Sequence, residues 1–283
     1  MSKCNASVVL LTKNAGPEFE RTLQALAGQK VGFPFEIIAV DSGSTDGTLE
    51  FAERFQVKTY RIPPTDFNFG LTRDYAFSLS EGDFIVTMSQ DVIPCGDSWL
   101  DRMVAPFSAD ERIAAVQGTT IVPKGSDVFY WERKGQFYFT SESRNWIERY
   151  QCGLSFVNCA IRRDFWEGHR MGPTPFSEDK LFQKIIHESG MSIHEAKEAL
   201  CFHGHQYTWK SLIARLKNEG VGWRQVGVRY GLGDCLADIY RNKWMIRKSL
   251  GSWAGGEIRT IQELLFPVLR PMCIYCGNNR TWI

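Results

Sequence analysis

In the first ninety residues, four short apolar runs alternate with helical patterns, and three of the runs stop abruptly at polar clusters. Ser7–Leu11 leads into Thr12-Lys13-Asn14, Phe35–Val40 into Asp41-Ser-Gly-Ser-Thr-Asp-Gly47, and Phe84–Met88 into Ser89-Gln90-Asp91; Val57–Ile62 is the fourth run. Between them, residues 17–27, 48–55 and 70–80 carry apolar side chains at helical spacing. Continuous apolar runs are strands buried on both faces, and strands alternating with helices at this pitch make a mostly parallel sheet covered on both sides. The predicted fold class is therefore α/β, with a Rossmann-like, mostly parallel sheet. In such a sheet the ligand crevice opens beyond the carboxyl ends of the strands. The pattern thus brings Thr12–Asn14, Asp41–Asp46 and Ser89–Asp91 to one crevice from three distant stretches of chain.

Beyond residue 112 the alternation loosens. Residues 113–122 and 154–161 read as strands, 178–189 as a helix and Glu198–Cys201 as a strand, with an aromatic, irregular stretch at 129–139. From Thr208 onward the spacing of Trp209, Leu212, Ile213 and Leu216 is helical, and Ile258–Leu269 is amphipathic. The expected organisation is an α/β domain over 1–207, its halves meeting near residue 112, followed by a helical extension over 208–283. No linker-like composition separates these parts, so one shared core is expected.

The formal net charge of +1 gives no general reason to expect nucleic acid as a partner. The charge is unevenly placed, however, with 12 Lys/Arg against 5 Asp/Glu from His203 onward. A basic tail rich in Trp, Tyr and Leu suits either an anionic inner membrane face or a cover for the core. No run reaches the roughly 18 apolar residues of a spanning helix, and the run near the N-terminus is too short for the hydrophobic region of a signal peptide. The expected compartment is the cytoplasm. Its eight cysteines, Cys4 among them, are expected to be buried or reduced there. Cys273-Ile-Tyr-Cys276 has the spacing of half a zinc site or of a redox pair, without a second CxxC.

Each polar cluster supports a specific chemistry and a plainer alternative. Within Asp41–Gly47, Ser44, Thr45 or Asp46 can cap the following helix, whereas Asp41 at a strand tip can accept from a uracil or thymine imide N–H or bind ribose. Asp91 either belongs to a turn before Pro94 or holds Mg²⁺ or Mn²⁺ against a departing diphosphate. Ser177-Glu178-Asp179 opens a helix, as ordinary N-terminal capping or as a carboxylate base aimed at an acceptor hydroxyl. His203-Gly204-His205 ends a strand, as polar loop residues or as imidazole ligands suited to Mn²⁺ or Mg²⁺.

The order of these motifs resembles the family 2 glycosyltransferases of the GT-A fold, inverting enzymes that use nucleotide-diphosphate sugars. The resemblance is carried by VVLLTKN (8–14), VDSGSTDGT (40–48), FNFGLTRDYA (67–76), MSQD (88–91), VNCAIRRDFW (157–166), SEDKL (177–181) and HGH (203–205). The Ser-Gln-Asp variant and FNFGLTR resemble the bacterial rhamnosyltransferase-like branch. That branch implies a dTDP- or UDP-linked donor, rhamnose as the sugar, and a glycan or lipid-linked saccharide acceptor in surface polysaccharide synthesis. The resemblance also implies a nucleotide-binding half over 1–112 and an acceptor half over 113–207; the stretches 129–150 and Trp166–Pro175 read equally as acceptor-site candidates or as core aromatics. It assigns Thr12, Asn14, Asp41 and Ser44 to the base and ribose, Arg73 to the diphosphate, and Gln90 with Asp91 to the nucleotide sugar. Asp91 and His203 become the metal ligands, and Asp179 the general base with Glu178 as its neighbour.

Two residues depart from the family pattern. Ser89 replaces the first Asp of the metal-binding DxD motif, and Asp74 puts a negative charge beside the expected diphosphate contact. The lost carboxylate keeps open the reading of an inactive relative acting as an assembly partner. A sugar nucleotidyltransferase is the enzyme rival, but the stretch Leu11–Gly16 lacks the Gly/Arg/Lys-rich phosphate loop it needs.

Overall fold

The structure, a computed structural model, describes residues 5–123 and 125–279. Eight strands among them form one sheet: β1 (Ala6–Thr12), β2 (Phe35–Asp41), β3 (Lys58–Arg61), β4 (Phe84–Ser89), β5 (Ile93–Pro94), β6 (Ile113–Ile121), β7 (Asn158–Arg162) and β8 (Ser192–Phe202). Their order is β3-β2-β1-β4-β7-β6-β8-β5. The first four run parallel, β7 is antiparallel to both β4 and β6, β8 is parallel to β6, and β5 is antiparallel to β8. The sheet is mixed α/β as the alternation predicts, with the reversal confined to β7 and the two-residue β5.

Strand side chains alternate between faces, so the apolar runs feed two cores at once. Val8, Leu10, Val86 and Met88 pack with Phe19, Leu23 and Trp99 on one side, whereas Val9, Ile38, Val40 and Ile85 pack with Phe77, Trp166 and Phe182 on the other. Continuous apolar strands are the sequence signature of this two-sided burial. The strand expected over 154–161 is shorter than its apolar run. The backbone N–H groups of Leu154 and Ser155 are taken by the Gln183 and Gln117 side chains, so Leu154 and Phe156 enter the core and ladder pairing begins at Asn158.

The chain packs as two compact units, Met1–Ile121 with Leu154–His203, and Val122–Gly153 with Gly204–Ile283. This differs from the division at 207/208, because the aromatic stretch expected in the α/β domain packs with the C-terminal helices. Phe129, Trp131, Phe137 and Phe139 share a core with Leu212, Leu216 and Phe266, and Trp131 Nε1 donates to the Glu263 carbonyl at 2.7 Å. The stretch is partly helical as well, with helices Tyr130–Arg133 and Ser141–Tyr150. In the same unit, helices Trp209–Gln225 and Ile261–Asn279 cross where both carry glycine. A Cβ on Gly277 would lie 2.0 Å from the Lys217 carbonyl oxygen, so only hydrogen fits. Cys273 and Cys276 sit on the second of these helices, and burial pushes the Cys273 thiol up to about 11, away from the thiolate that zinc or exchange chemistry requires. Cys4 lies outside the described residues.

A buried charge network in this unit gives a pH-dependent prediction. Arg270 Nη2 donates to Glu219 Oε1 at 2.7 Å and to Glu142 Oε1 at 3.4 Å, while Glu142 Oε2 is buried with no hydrogen-bond partner. Burial pushes the Glu142 carboxyl up to about 6 against the pull of Arg270. The folded state then holds this proton more tightly than the unfolded chain, so the contribution is full in acid and is lost as pH rises from about 4.5 to 6, about 2 kcal/mol in all. Glu142→Gln is expected to raise the unfolding free energy at pH 8 by up to about 2 kcal/mol and to change it little near pH 4.5, as read by urea denaturation at both pH values.

Candidate active site

The parallel register sets three loops side by side. Thr12 lies opposite Asp41, and Leu11 opposite Ser89, so β1, β2 and β4 end at one level. Hydrogen bonds then join the loops. Lys13 N donates to Gln90 Oε1 at 2.8 Å, Asn14 N to Ser44 Oγ at 2.8 Å, Thr45 N to Asn14 Oδ1 at 2.8 Å, and Gly16 N to Asp46 Oδ2 at 2.9 Å. Asn14 holds a positive φ of 46°, a conformation Asn tolerates better than most side chains. The clusters that are far apart in sequence thus form a single shelf at the carboxyl ends of the strands.

Asp41 organises this shelf from beneath rather than facing a ligand. It is completely buried; Oδ1 accepts from the backbone N–H groups of Gly43 and Ser44, and Oδ2 from the hydroxyls of Thr12 and Ser44. Both oxygens of the carboxylate expected at the base and ribose are engaged in shaping the loop. Thr12 and Ser44 are buried with it, whereas Asn14, Thr45 and Asp46 are exposed and Gln90 is half-buried. Lys13 is the residue the motif reading passed over. It is exposed on the shelf, and Gln90 pins its backbone on both sides, N–H and carbonyl. Its signal was the Thr-Lys-Asn triplet directly after the first apolar run.

FNFGLTRDYA turns out to be largely structural. Arg73 is buried; its Nε donates to Glu178 Oε1 at 2.8 Å, its Nη1 to Thr87 Oγ1 at 2.6 Å, and its guanidinium lies 4.9 Å from the Phe156 ring centre. The guanidinium expected to meet a diphosphate is thus engaged inside the core by Glu178, Thr87 and Phe156. Asp74 is likewise turned inward, accepting from Trp166 Nε1 and from the backbone N–H groups of Met171 and Gly172, which removes its charge from the donor question. Gly70 allows this approach, because a Cβ there would meet the Gly172 carbonyl oxygen at 2.3 Å. Trp166 and most aromatics of 129–150 are core residues, although Tyr138 is exposed, as is the aliphatic Ile147.

The Arg73–Glu178 pair anchors the first turn of helix Glu178–Glu188 to β4 through Thr87. Burial pushes the Glu178 carboxyl up, with Arg73 pulling the other way. Glu178, the neighbour of the expected base, therefore serves the position of the helix. Asp179, the next residue, is half-buried and retains solvent access. Ser177 precedes it at φ 57°, in the left-handed region, and makes no side-chain capping bond, whereas Asp179 Oδ1 accepts from the first-turn Lys180 N.

Asp91 and His203 meet through an element too short to leave a sequence signal. β5 pairs with the end of β8, Ile93 opposite Phe202, and this sets Asp91 Oδ1 3.8 Å from His203 Nε2. Two donors each at about 2.1 Å from a cation lie between about 3 and 4.2 Å apart, so this carboxylate–imidazole pair fits a Mn²⁺ or Mg²⁺ ion. Asp179 is placed at the helix start that the Arg73–Glu178 anchor holds.

Comparison with known proteins bears on the family and the fold. The family model described as "Glycosyl transferase family 2" matches residues 7–168. The O-antigen chain rhamnosyltransferases RfbN of Salmonella typhimurium and WbaN of Salmonella anatum are each 28% identical, over 76% of this chain and 71% of the relative. Among solved structures, the mannosyltransferase PcManGT of Pyrobaculum calidifontis, in complex with GDP-Man and Mn²⁺, superposes with a TM-score of 0.57 at 16% identity, covering 98% of this chain and 71% of that one. Glucosyl-3-phosphoglycerate synthase of Mycobacterium tuberculosis, with Mn²⁺ and UDP-Glc, gives 0.60 at 18% identity, covering 80% of each chain. These structural likenesses establish a common fold of the GT-A type. With a family model matched over more than half its length and the strand-end shelf in place, the chain belongs to glycosyl transferase family 2 and is a glycosyltransferase.

Proposed function

We propose that this glycosyltransferase moves rhamnose, with inversion, from a dTDP- or UDP-linked donor to a saccharide or lipid-linked acceptor in surface polysaccharide synthesis. The observation that carries the reading is the hydrogen-bonded shelf of Thr12–Asn14, Asp41–Asp46 and Gln90 beside the Asp91–His203 pair. The names of the two rhamnosyltransferase relatives support the sugar and the pathway class. On this reading Asn14, Thr45 and Gln90 present the groups that meet the nucleoside, and exposed Lys13 faces the diphosphate in the place first expected of Arg73. Asp91 and His203 hold Mn²⁺ or Mg²⁺, which when bound offsets the charge of the departing diphosphate.

Asp179 takes the proton from the acceptor hydroxyl, whose oxygen attacks the anomeric carbon opposite the leaving nucleotide diphosphate. The carbon–oxygen bond to the diphosphate breaks as the new glycosidic bond forms, and the configuration inverts. A peripheral position on the inner membrane face would present the protein to a lipid-linked acceptor; among the described residues no helix is long and apolar enough to cross a membrane.

A thermal-shift panel of nucleotide sugars with and without Mn²⁺ tests the donor, and stabilisation by a dTDP- or UDP-linked sugar above GDP-sugars is the expected result. His203→Ala is expected to raise the Mn²⁺ concentration for half-maximal activity at least about tenfold. An unchanged metal requirement in that variant would remove His203 from the site.

A further inference from the structure

In the helix Leu232–Arg241 the usual partition of side chains is reversed. Asp238 is completely buried, accepting from Ser141 N and Oγ at 2.7 Å and from Tyr230 Oη at 2.9 Å, while Arg144 Nη2 lies 3.0 Å away. Leu232, Leu236 and Tyr240 are 55%, 59% and 71% exposed. At spacings of four they form one stripe on the side of the helix away from Asp238 and Cys235. A helix that turns its carboxylate inward and its leucines outward leaves an apolar face uncovered.

The next helix, Lys243–Ala254, continues the theme. Met245 and Ser249 are buried, and Trp244, Leu250 and Trp253 are exposed among Lys243, Arg247 and Lys248. Lys243 Nζ lies 4.5 Å from the Tyr240 ring centre and Lys248 Nζ 5.9 Å from that of Trp244, so cations stand over the exposed rings. Over residues 229–254 the cations Arg229, Arg241, Lys243, Arg247 and Lys248 face only Asp234 and the buried Asp238.

We propose that this face docks on an anionic phospholipid surface, with Leu232, Leu236, Tyr240 and Trp244 in the headgroup layer and Lys243, Arg247 and Lys248 on the phosphates. The charge selects the occupant. A second copy docked by a two-fold axis would set this row of cations against itself, whereas a sheet of phosphates neutralises it and needs no matching pocket. The inference deepens the proposed peripheral position by naming the residues that hold it. It does not depend on sugar transfer, because vesicle binding is measured without donor.

Co-sedimentation of the full chain with vesicles of phosphatidylcholine, alone or mixed with phosphatidylglycerol, tests it. The expected result is binding to the mixed vesicles only, weakening as salt is raised. Leu236→Asp/Tyr240→Asp and Lys243→Glu/Lys248→Glu are each expected to lower the partition coefficient roughly 20-fold, with circular dichroism and donor hydrolysis unchanged. Equal binding to both vesicle types, wild-type binding by the double variants, or a dimer in solution that Leu236→Asp dissociates would each overturn the proposal. Vesicle binding without any donor hydrolysis would leave it standing and count against the sugar-transfer reading alone.

Discussion

Asp179→Asn is expected to lower the transfer rate about a thousandfold while leaving donor binding within a factor of about two, because a positioned general base contributes roughly 10²–10⁴ in rate and nothing to nucleotide affinity. The geometry supporting this is the contrast between two neighbouring carboxylates. Glu178 is buried against Arg73, whereas Asp179, one residue on and 22% exposed, accepts from Lys180 N at its own helix start, with Lys180 Nζ 3.9 Å away. Single-turnover transfer together with calorimetric donor titration separates the two quantities. Turnover near the wild-type rate in this variant would take Asp179 out of the mechanism.

Arg73→Met carries the largest expected loss of stability. It leaves the Glu178 carboxylate buried without its partner, at a cost of about 3–5 kcal/mol. Glu178 is already raised by burial, and losing Arg73 raises it further. A carboxyl raised in the folded state favours folding in acid and loses that contribution as pH climbs through its folded value, so the deficit of Arg73→Met should shrink toward pH 4.5 and widen toward pH 8. The double variant Arg73→Met/Glu178→Leu should recover most of the loss, because neither charge is then left alone. Urea denaturation of the two single variants and the double at both pH values checks this. Additive losses would mean that the pair is not coupled. Since the pair also holds the start of helix Glu178–Glu188, Arg73→Met should lower kcat more than donor affinity.

Much of the architecture was legible because period and burial write themselves into composition. The apolar runs at Ser7–Leu11, Phe35–Val40 and Phe84–Met88 could only be strands covered on both faces, and their polar ends could only meet at one edge. Motif roles were less legible. Arg73, Asp74 and Asn158 stand in motifs that carry the family resemblance, yet each is buried in a bonding network. Asn158 Oδ1 accepts from Trp99 Nε1, and its Nδ2 donates to the carbonyls of Thr119 and Ala199. A charged or amide side chain that satisfies buried partners reads the same in a sequence as one that awaits a ligand.

By itself the chain of residues determined the α/β class, the strand-end position of the three polar loops and the family, because these follow from local periodicity and the order of motifs along the chain. The tertiary structure alone decided which polar groups stay available. It buried Asp41 under its own loop, spent Arg73 on Glu178, joined Asp91 to His203 through the pairing of Ile93 with Phe202, and packed the 129–139 aromatics with Phe266. Burial and hydrogen-bond satisfaction depend on which distant segments meet, and no window of neighbouring residues contains that information.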